Sequence, residues 1–193
     1  MFARRLVRLG VVGVLALALP IVGAPASSAS ATPADSSIAV RTVLYDASRA
    51  GEFVNVVHNA AAIWNSSARN VRLQSGRPAS VTIMVDNGWP RAQPRGLGAG
   101  RIWMGRQAVN DGHDPTRIAA HELGHIFGLP DRRTGRCSDL MSGSSAGTSC
   151  RNARPNAQEI AEVDRNFANG QAARTAVLPA SFDSCFDNGH VHA

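Results

Sequence analysis

The segment HELGHIFGLPD fixes both a helix and the point where that helix ends. His121 and His125 are four residues apart, a spacing that places both side chains on one face of an α-helix. Gly128 lies where the helix should stop, because glycine adopts the left-handed conformation of a helix C-cap at little cost. Pro130 then prevents the helix from resuming. The chain must therefore turn sharply before it reaches Asp131.

The same segment carries the residue types of a zinc site. Two imidazoles at this spacing can hold one Zn²⁺, and the oxygen of Asp131 is an acceptable third ligand, so His121, His125 and Asp131 are the predicted ligands. Glu122 can reach a water molecule on the metal without taking a ligand position, as a general base must. Three protein ligands and one open position indicate a catalytic site, whereas four would indicate a structural one.

The first 31 residues are predicted to be a secretory signal peptide. Three arginines precede an apolar stretch at 9–22 that is too short to span a bilayer, and small residues with A-x-A steps follow. Residues 32–41, rich in serine, alanine and proline, are predicted to be a linker or a short pro-segment. We expect a secreted, extracellular protein with no membrane partner.

The charge of the chain gives little support to a nucleic-acid partner. Every basic residue is arginine; three lie in the signal segment, which leaves 17 arginines against 14 acidic residues, a net charge of +3. Nucleic-acid binding requires clustered charge and an aromatic platform, whereas these arginines are scattered along the sequence. We expect no nucleic-acid partner and a monomeric protein.

The three cysteines fit an oxidising compartment. Cys137 and Cys150 bracket a short polar loop and are the natural pair, whose closure would contribute about 3 kcal/mol on the chain-entropy model. Cys185 would then be a free thiol or an intermolecular link. The sequence alone leaves the other two pairings open.

Hydrophobic periodicity predicts several strands and helices on both sides of residues 121–131, the zinc segment. The predicted strands are 43–45, 71–73, 81–85 and 101–104, and the predicted flanking helices are 52–66 and 156–169. Residues 89–95 are interpreted as a loop, the glycines at 96–100 as a flexible entry to an edge strand, and 171–193 as a loosely held tail. Asp114 and the following proline begin the zinc-segment helix well.

Three segments together resemble the snapalysin family of small secreted neutral proteases. HExxHxxGxxD resembles the zinc motif of metzincin-type metalloproteases with aspartate as third ligand, and CSDLMSG at 137–143 resembles their Met-turn. NAQE at 156–159 resembles the start of the family's last helix. The resemblance covers about residues 42–170. It implies an α+β, metzincin-like single catalytic domain with a small mixed twisted sheet, an N-terminal helix, a zinc-binding helix, a Met-turn and a C-terminal helix.

The resemblance also implies roles for individual residues. Met141 would form a hydrophobic floor under the zinc, although an ordinary core methionine is physically nearly the same claim. Cys137 and Cys150 would form the family's disulfide. A calcium ion would bind near the start of the zinc helix, where Asp114 and Thr116 match the family's positions; plain helix capping is the alternative.

One position departs from the family. Relatives carry a tyrosine two residues after the ligand aspartate, where it stabilises the transition state, and this chain has Arg133 there. A guanidinium can also stabilise an oxyanion, although its reach and hydration differ.

The predicted function is a zinc endopeptidase that acts on extended polypeptides, with the strand at 100–104 pairing with the substrate. Two alternatives stay open at this point. One is a secreted zinc-binding module with little or no proteolysis, and the other is an amidase that acts on cell-wall peptides.

Overall fold

A computed structural model describes residues 39–169 of the chain. The signal peptide predicted at 1–31, most of the linker, Cys185 and the tail at 171–193 lie outside the described residues. The strands are β1 (Arg41–Arg49), β2 (Val71–Ser75), β3 (Val81–Met84), β4 (Arg91–Gly96) and β5 (Ala99–Trp103). The helices are α1 (Val54–Ser67), α2 (Arg106–Asn110), α3 (Pro115–Ile126) and α4 (Ala157–Ala168), and 3₁₀ turns occupy Gly51–Phe53 and Leu140–Ala146.

The five strands form one mixed sheet in the order β2-β1-β3-β5-β4. The first four strands of this order run parallel to one another, and β4 alone pairs antiparallel, with β5. Alternate residues along β1, β2 and β3 are buried, as expected for strands with one face covered by helices. The predicted α+β architecture with a small mixed sheet is therefore confirmed.

The prediction for the edge of the sheet was wrong. Residues 89–95 were interpreted as a loop, yet they contain most of β4, and β4 rather than β5 lies at the edge. The sequence of β4 has no β-branched residue, and a proline inside a strand is tolerated only at an edge or a bulge. Its main apolar anchor is Ala92, which is fully buried opposite Ile102 of β5. One small side chain is too weak a signal to predict a strand.

Aromatic packing fixes α3 against the helices on either side. The ring of Phe127, just after α3, contacts Trp64 of α1 and Phe167 of α4 edge-to-face, with centroid distances of 5.2 and 5.5 Å. The indole nitrogen of Trp64 also donates a 2.8 Å hydrogen bond to the carbonyl of Ala120 in α3. Since Ala120 directly precedes His121, this bond fixes the backbone of α3 next to the first predicted zinc ligand.

No helix among the described residues is long and apolar enough to cross a membrane.

We expect Gly100→Ala to lower the free energy of unfolding by about 1–3 kcal/mol, the usual cost of overpacking. A Cβ at Gly100, whose φ is +157°, would lie 2.5 Å from the carbonyl oxygen of Gln93 in β4 and 2.7 Å from Ile126 Cδ1. Urea denaturation measures the change. In the control Gly76→Ala the nearest atom, Leu44 Cδ2, would lie 3.7 Å away, so its effect should stay within about 0.5 kcal/mol. Equal losses in the two variants would contradict the close β4–β5 approach.

Candidate metal centre

The start of α3 is built as the sequence predicts. Asp114 is the N-cap, and its Oδ1 accepts a 2.8 Å hydrogen bond from the backbone N–H of Arg117. Pro115 occupies the first turn, where its missing N–H costs nothing. Helix capping is thus the role that the structure describes for Asp114, and the calcium site at Asp114 and Thr116 stays a prediction.

The end of α3 brings the three predicted ligands together. The helix stops at Ile126, and Gly128 has φ +86°, in the left-handed region, so the chain reverses as predicted. His121 Nε2 then lies 3.1 Å from His125 Nε2 and 3.3 Å from Asp131 Oδ1. The third side of the triangle, from His125 Nε2 to Asp131 Oδ1, is 3.6 Å.

This triangle has the dimensions of one face of a tetrahedral zinc site. Zn–N and Zn–O distances of about 2.0–2.1 Å place neighbouring ligand atoms about 3.3 Å apart. Among the described residues, His121, His125 and Asp131 are the group of three ligand-type side chains that could hold one metal ion. The donor set of two imidazoles and one carboxylate fits zinc.

Hydrogen bonds to backbone carbonyls fix the tautomers of both histidines. His121 Nδ1 is 2.9 Å from the carbonyl oxygen of Leu140, and His125 Nδ1 is 2.8 Å from that of Leu129. A carbonyl oxygen can only accept, so each Nδ1 carries the hydrogen and the lone pair of each neutral ring lies on Nε2. Both lone pairs therefore face the centre of the triangle, as metal ligation requires.

Burial keeps the second histidine neutral at physiological pH. The removal of His125 from water, together with the neighbouring His121, lowers the pKa of His125 from 6.5 to about 4, against the opposing effect of Asp131. The pKa shift acts in the direction that keeps Nε2 available as a ligand down to acidic pH.

Glu122 and Met141 complete the surroundings of the triangle. Glu122 lies between the two histidines in sequence and is fully buried on α3. Met141 is also fully buried and packs against α3 so closely that a Cβ on Gly124 would lie 2.7 Å from its Sδ. Glycine at 124 thus lets the Met-turn approach the helix within one turn of both histidines.

The predicted disulfide between Cys137 and Cys150 is present, with a Cα–Cα distance of 5.5 Å. It closes the loop that contains the Met-turn.

Comparison with known proteins decides the family. Residues 39–170 match the model of the Streptomyces extracellular neutral proteinase (M7) family. The chain belongs to this family. The resemblance to snapalysins inferred from the zinc segment and the Met-turn is thereby confirmed, and the protein is a secreted, extracellular protease.

Individual relatives support the same assignment. The chain is similar to the extracellular small neutral protease of Streptomyces caespitosus, with 47% identity over 131 residues that cover 67% of this chain and 98% of the relative. It is 44% identical to the enzyme of the same name from Streptomyces sp. strain C5, over 71% of this chain and 61% of that one. The match to the Streptomyces coelicolor protease is 42% identical and covers 70% and 63%.

Arg133 lies two residues after the predicted ligand Asp131. It is the non-glycine residue with a positive φ, +38°, among the described residues, and its side chain is about half exposed. Its Nη2 lies 3.9 Å from Asp131 Oδ2. The other oxygen of this carboxylate, Oδ1, is one corner of the ligand triangle. A positive charge therefore lies beside the predicted metal ligand, at the position where the resemblance led us to expect a tyrosine.

Three buried charged residues near the Met-turn were not predicted as part of the site. They are Arg117, Asp139 and Glu159, each at most 5% exposed. The sequence marked Glu159 only as part of a capping box with Asn156, which the structure confirms. The contacts of Arg117 and Glu159 with the Met-turn join segments about 20 residues apart in sequence, so no local pattern could reveal them.

Asp139, at the entry to the Met-turn, accepts hydrogen bonds from four side chains. Oδ2 accepts from Thr134 Oγ1 at 2.7 Å and from the guanidinium of Arg136 at 2.6 and 2.9 Å. Oδ1 accepts from Ser138 Oγ and Asn156 Nδ2, both at 3.1 Å. These bonds, with that from Thr134 the strongest influence, lower the pKa of Asp139 from 3.8 to about 2.

We expect Asp139→Asn to destabilise the protein at neutral pH and much less at pH 2. A carboxyl whose pKa falls on folding stabilises the native state above its unfolded pKa of about 3.9, and that contribution disappears as the pH drops through the folded value. Thermal unfolding of both proteins between pH 7 and pH 2 measures the difference in Tm. A difference that stayed constant over the whole range would contradict the pKa shift.

Substitutions of Asp114 separate helix capping from calcium binding. Asparagine caps a helix as well as aspartate does, so Asp114→Asn should leave the free energy of unfolding nearly unchanged, whereas Asp114→Ala should lower it by about 1 kcal/mol. Urea denaturation with and without added calcium is the measurement. A calcium-dependent stabilisation of the wild type that Asp114→Asn abolishes would instead support the predicted calcium site.

Proposed function

We propose that this extracellular protease is a zinc-dependent endopeptidase, with His121, His125 and Asp131 as zinc ligands and Glu122 as general base. The observation that carries the proposal is the ligand triangle, with sides of 3.1, 3.3 and 3.6 Å. Two nitrogen lone pairs and a carboxylate oxygen that face one another this closely repel unless a cation lies between them. Three ligands also leave the fourth tetrahedral position open.

The chemistry divides between the metal and the protein. A zinc ion in the triangle would act as a Lewis acid on the scissile carbonyl and lower the pKa of a water molecule towards 7. Glu122 would accept the proton of the attacking water and deliver it to the leaving amine. Its position on α3 directly after the predicted ligand His121 supports this role, because a general base must lie beside the metal without occupying a ligand position.

The polypeptide substrate would bind along the sheet edge formed by β4, instead of along β5 as the sequence suggested. Among the described strands β4 pairs with β5 on one side and lies at the end of the sheet on the other. An extended peptide can add to such an edge through backbone hydrogen bonds. Since these bonds do not involve side chains, they predict a loose sequence preference.

The two alternatives are a zinc-binding module without proteolysis and a cell-wall peptide amidase. Membership of a protease family disfavours both, and the buried Glu122 disfavours the first. Parallel assays on casein and on peptidoglycan fragments distinguish the amidase from an endopeptidase.

We expect Glu122→Gln to lower kcat on casein by about 10²–10⁴-fold, the usual contribution of a general base, while zinc binds stoichiometrically. A chelator should abolish wild-type activity, and added zinc should restore it. Glu52→Gln makes the same chemical change in a residue that is ion-paired with Arg106 on the surface, and it should retain full activity. Stoichiometric zinc with no cleavage of casein by the wild type would overturn the proposal, as would full activity of Glu122→Gln.

A further inference from the structure

Glu159 of α4 is hydrogen-bonded to the backbone of the Met-turn. It is fully buried, and its Oε1 accepts a 2.8 Å hydrogen bond from the backbone N–H of Met141. Its Oε2 accepts from the backbone N–H of Leu140 at 3.2 Å and from that of Asn156 at 2.7 Å. Only the last of these bonds belongs to the helix cap; the other two reach across to the Met-turn.

Arg117 of α3 is hydrogen-bonded to carbonyl oxygens of the same turn. It is 3% exposed, and its Nη2 donates to the carbonyl of Asp139 at 2.7 Å and to that of Leu140 at 3.4 Å. Its Nη1 donates to the carbonyl of Asn152 at 2.5 Å. Buried charges are costly unless they are hydrogen-bonded, and here the carbonyls of the Met-turn and of Asn152 supply the partners.

One peptide group connects this arrangement to the metal centre. The peptide between Leu140 and Met141 donates its N–H to Glu159, and its carbonyl oxygen accepts from His121 Nδ1 at 2.9 Å. A peptide group is planar, so fixing its N–H also fixes the direction of its C=O. A carboxylate that accepts from the N–H also polarises the group and makes the carbonyl a stronger acceptor.

His125 does not depend on such a long-range contact. Its acceptor, the carbonyl of Leu129, lies four residues away in the turn after α3, and the backbone N–H of Leu129 bonds to Gly124 of the same helix. The acceptor of His121 lies 19 residues away in sequence. The orientation of His121 therefore depends on whatever holds the Met-turn in place.

We infer that Glu159 is a positioning residue for the zinc ligand His121, acting through the Leu140–Met141 peptide, with Arg117 fixing the same turn from the side of α3. This inference rests on the proposed zinc function. A partner that orients a ligating histidine and raises its basicity typically changes metal affinity 10–100-fold.

The test compares the zinc affinity of the wild type with that of Glu159→Gln, both as the full chain. Glutamine has nearly the same shape, yet it loses the charge and one of the two acceptor oxygens. Competition with a chromophoric chelator should give a zinc Kd about 10–100-fold higher for the variant. The absorption spectrum of the cobalt-substituted protein should also change, because it reports the ligand geometry of the metal directly.

Asp164→Asn is the matched control. Asp164 lies on the same helix, and its Oδ1 accepts from two consecutive backbone N–H groups, of Arg69 at 2.7 Å and of Asn70 at 3.0 Å. Those groups precede β2 and have no link to a metal ligand. Asp164→Asn should lower stability and leave the zinc Kd and the cobalt spectrum unchanged.

The possible outcomes separate the two proposals. If the wild type binds zinc and the folded Glu159→Gln has the same Kd and cobalt spectrum as Asp164→Asn, the inference is overturned and the proposed function stands. A wild type that binds no zinc overturns both. Should Glu159→Gln fail to fold, Arg117→Lys takes its place, with a raised zinc Kd supporting the inference and an unchanged one overturning it.

Discussion

Three electron-rich atoms, which repel one another, lie close together at the end of α3, and the rest of the structure must hold them there. The Nε2 atoms of His121 and His125 and an oxygen of Asp131 lie within 3.6 Å of one another. Such an arrangement is favourable only around a cation, so without one the surrounding fold must hold it. The burial of α3, the bond from Trp64 to the carbonyl of Ala120 and the carbonyls that fix both imidazoles supply that rigidity.

The two histidines are held by different parts of the chain. The turn that follows α3 orients His125, and the same turn delivers Asp131 to the site. His121 depends instead on the Met-turn, which the disulfide closes from one side and Glu159 of α4 supports from another. The last helix thus contacts the turn beside the ligand triangle, although it supplies none of the predicted ligands. Glu159 is fully buried although it belongs to a helix cap, because it also accepts hydrogen bonds from the backbone of the Met-turn.

The sheet places α3 beside the edge strand β4, where we propose that the polypeptide substrate binds. The hairpin of β4 and β5 relies on glycine, since a side chain at Gly100 would collide with the backbone of β4. Because β5 pairs with β3 on one side and with β4 on the other, β5 is enclosed and β4 is the edge strand. The sequence predicted residues 89–95 as a loop and the following strand as the edge, because β4 is polar and contains a proline.

The sequence by itself determined those features that depend on near neighbours along the chain. The four-residue spacing of the histidines, the N-cap at Asp114, the helix stop at Gly128 and the capping box at Asn156 each need only one element, and the structure contains all four. Only the tertiary structure decided which strand forms the edge and which buried charges hold the Met-turn. The contacts of Arg117 and Glu159 with that turn span about 20 residues. Such contacts leave no periodic signal, because the backbone atoms that they bind are present at every position.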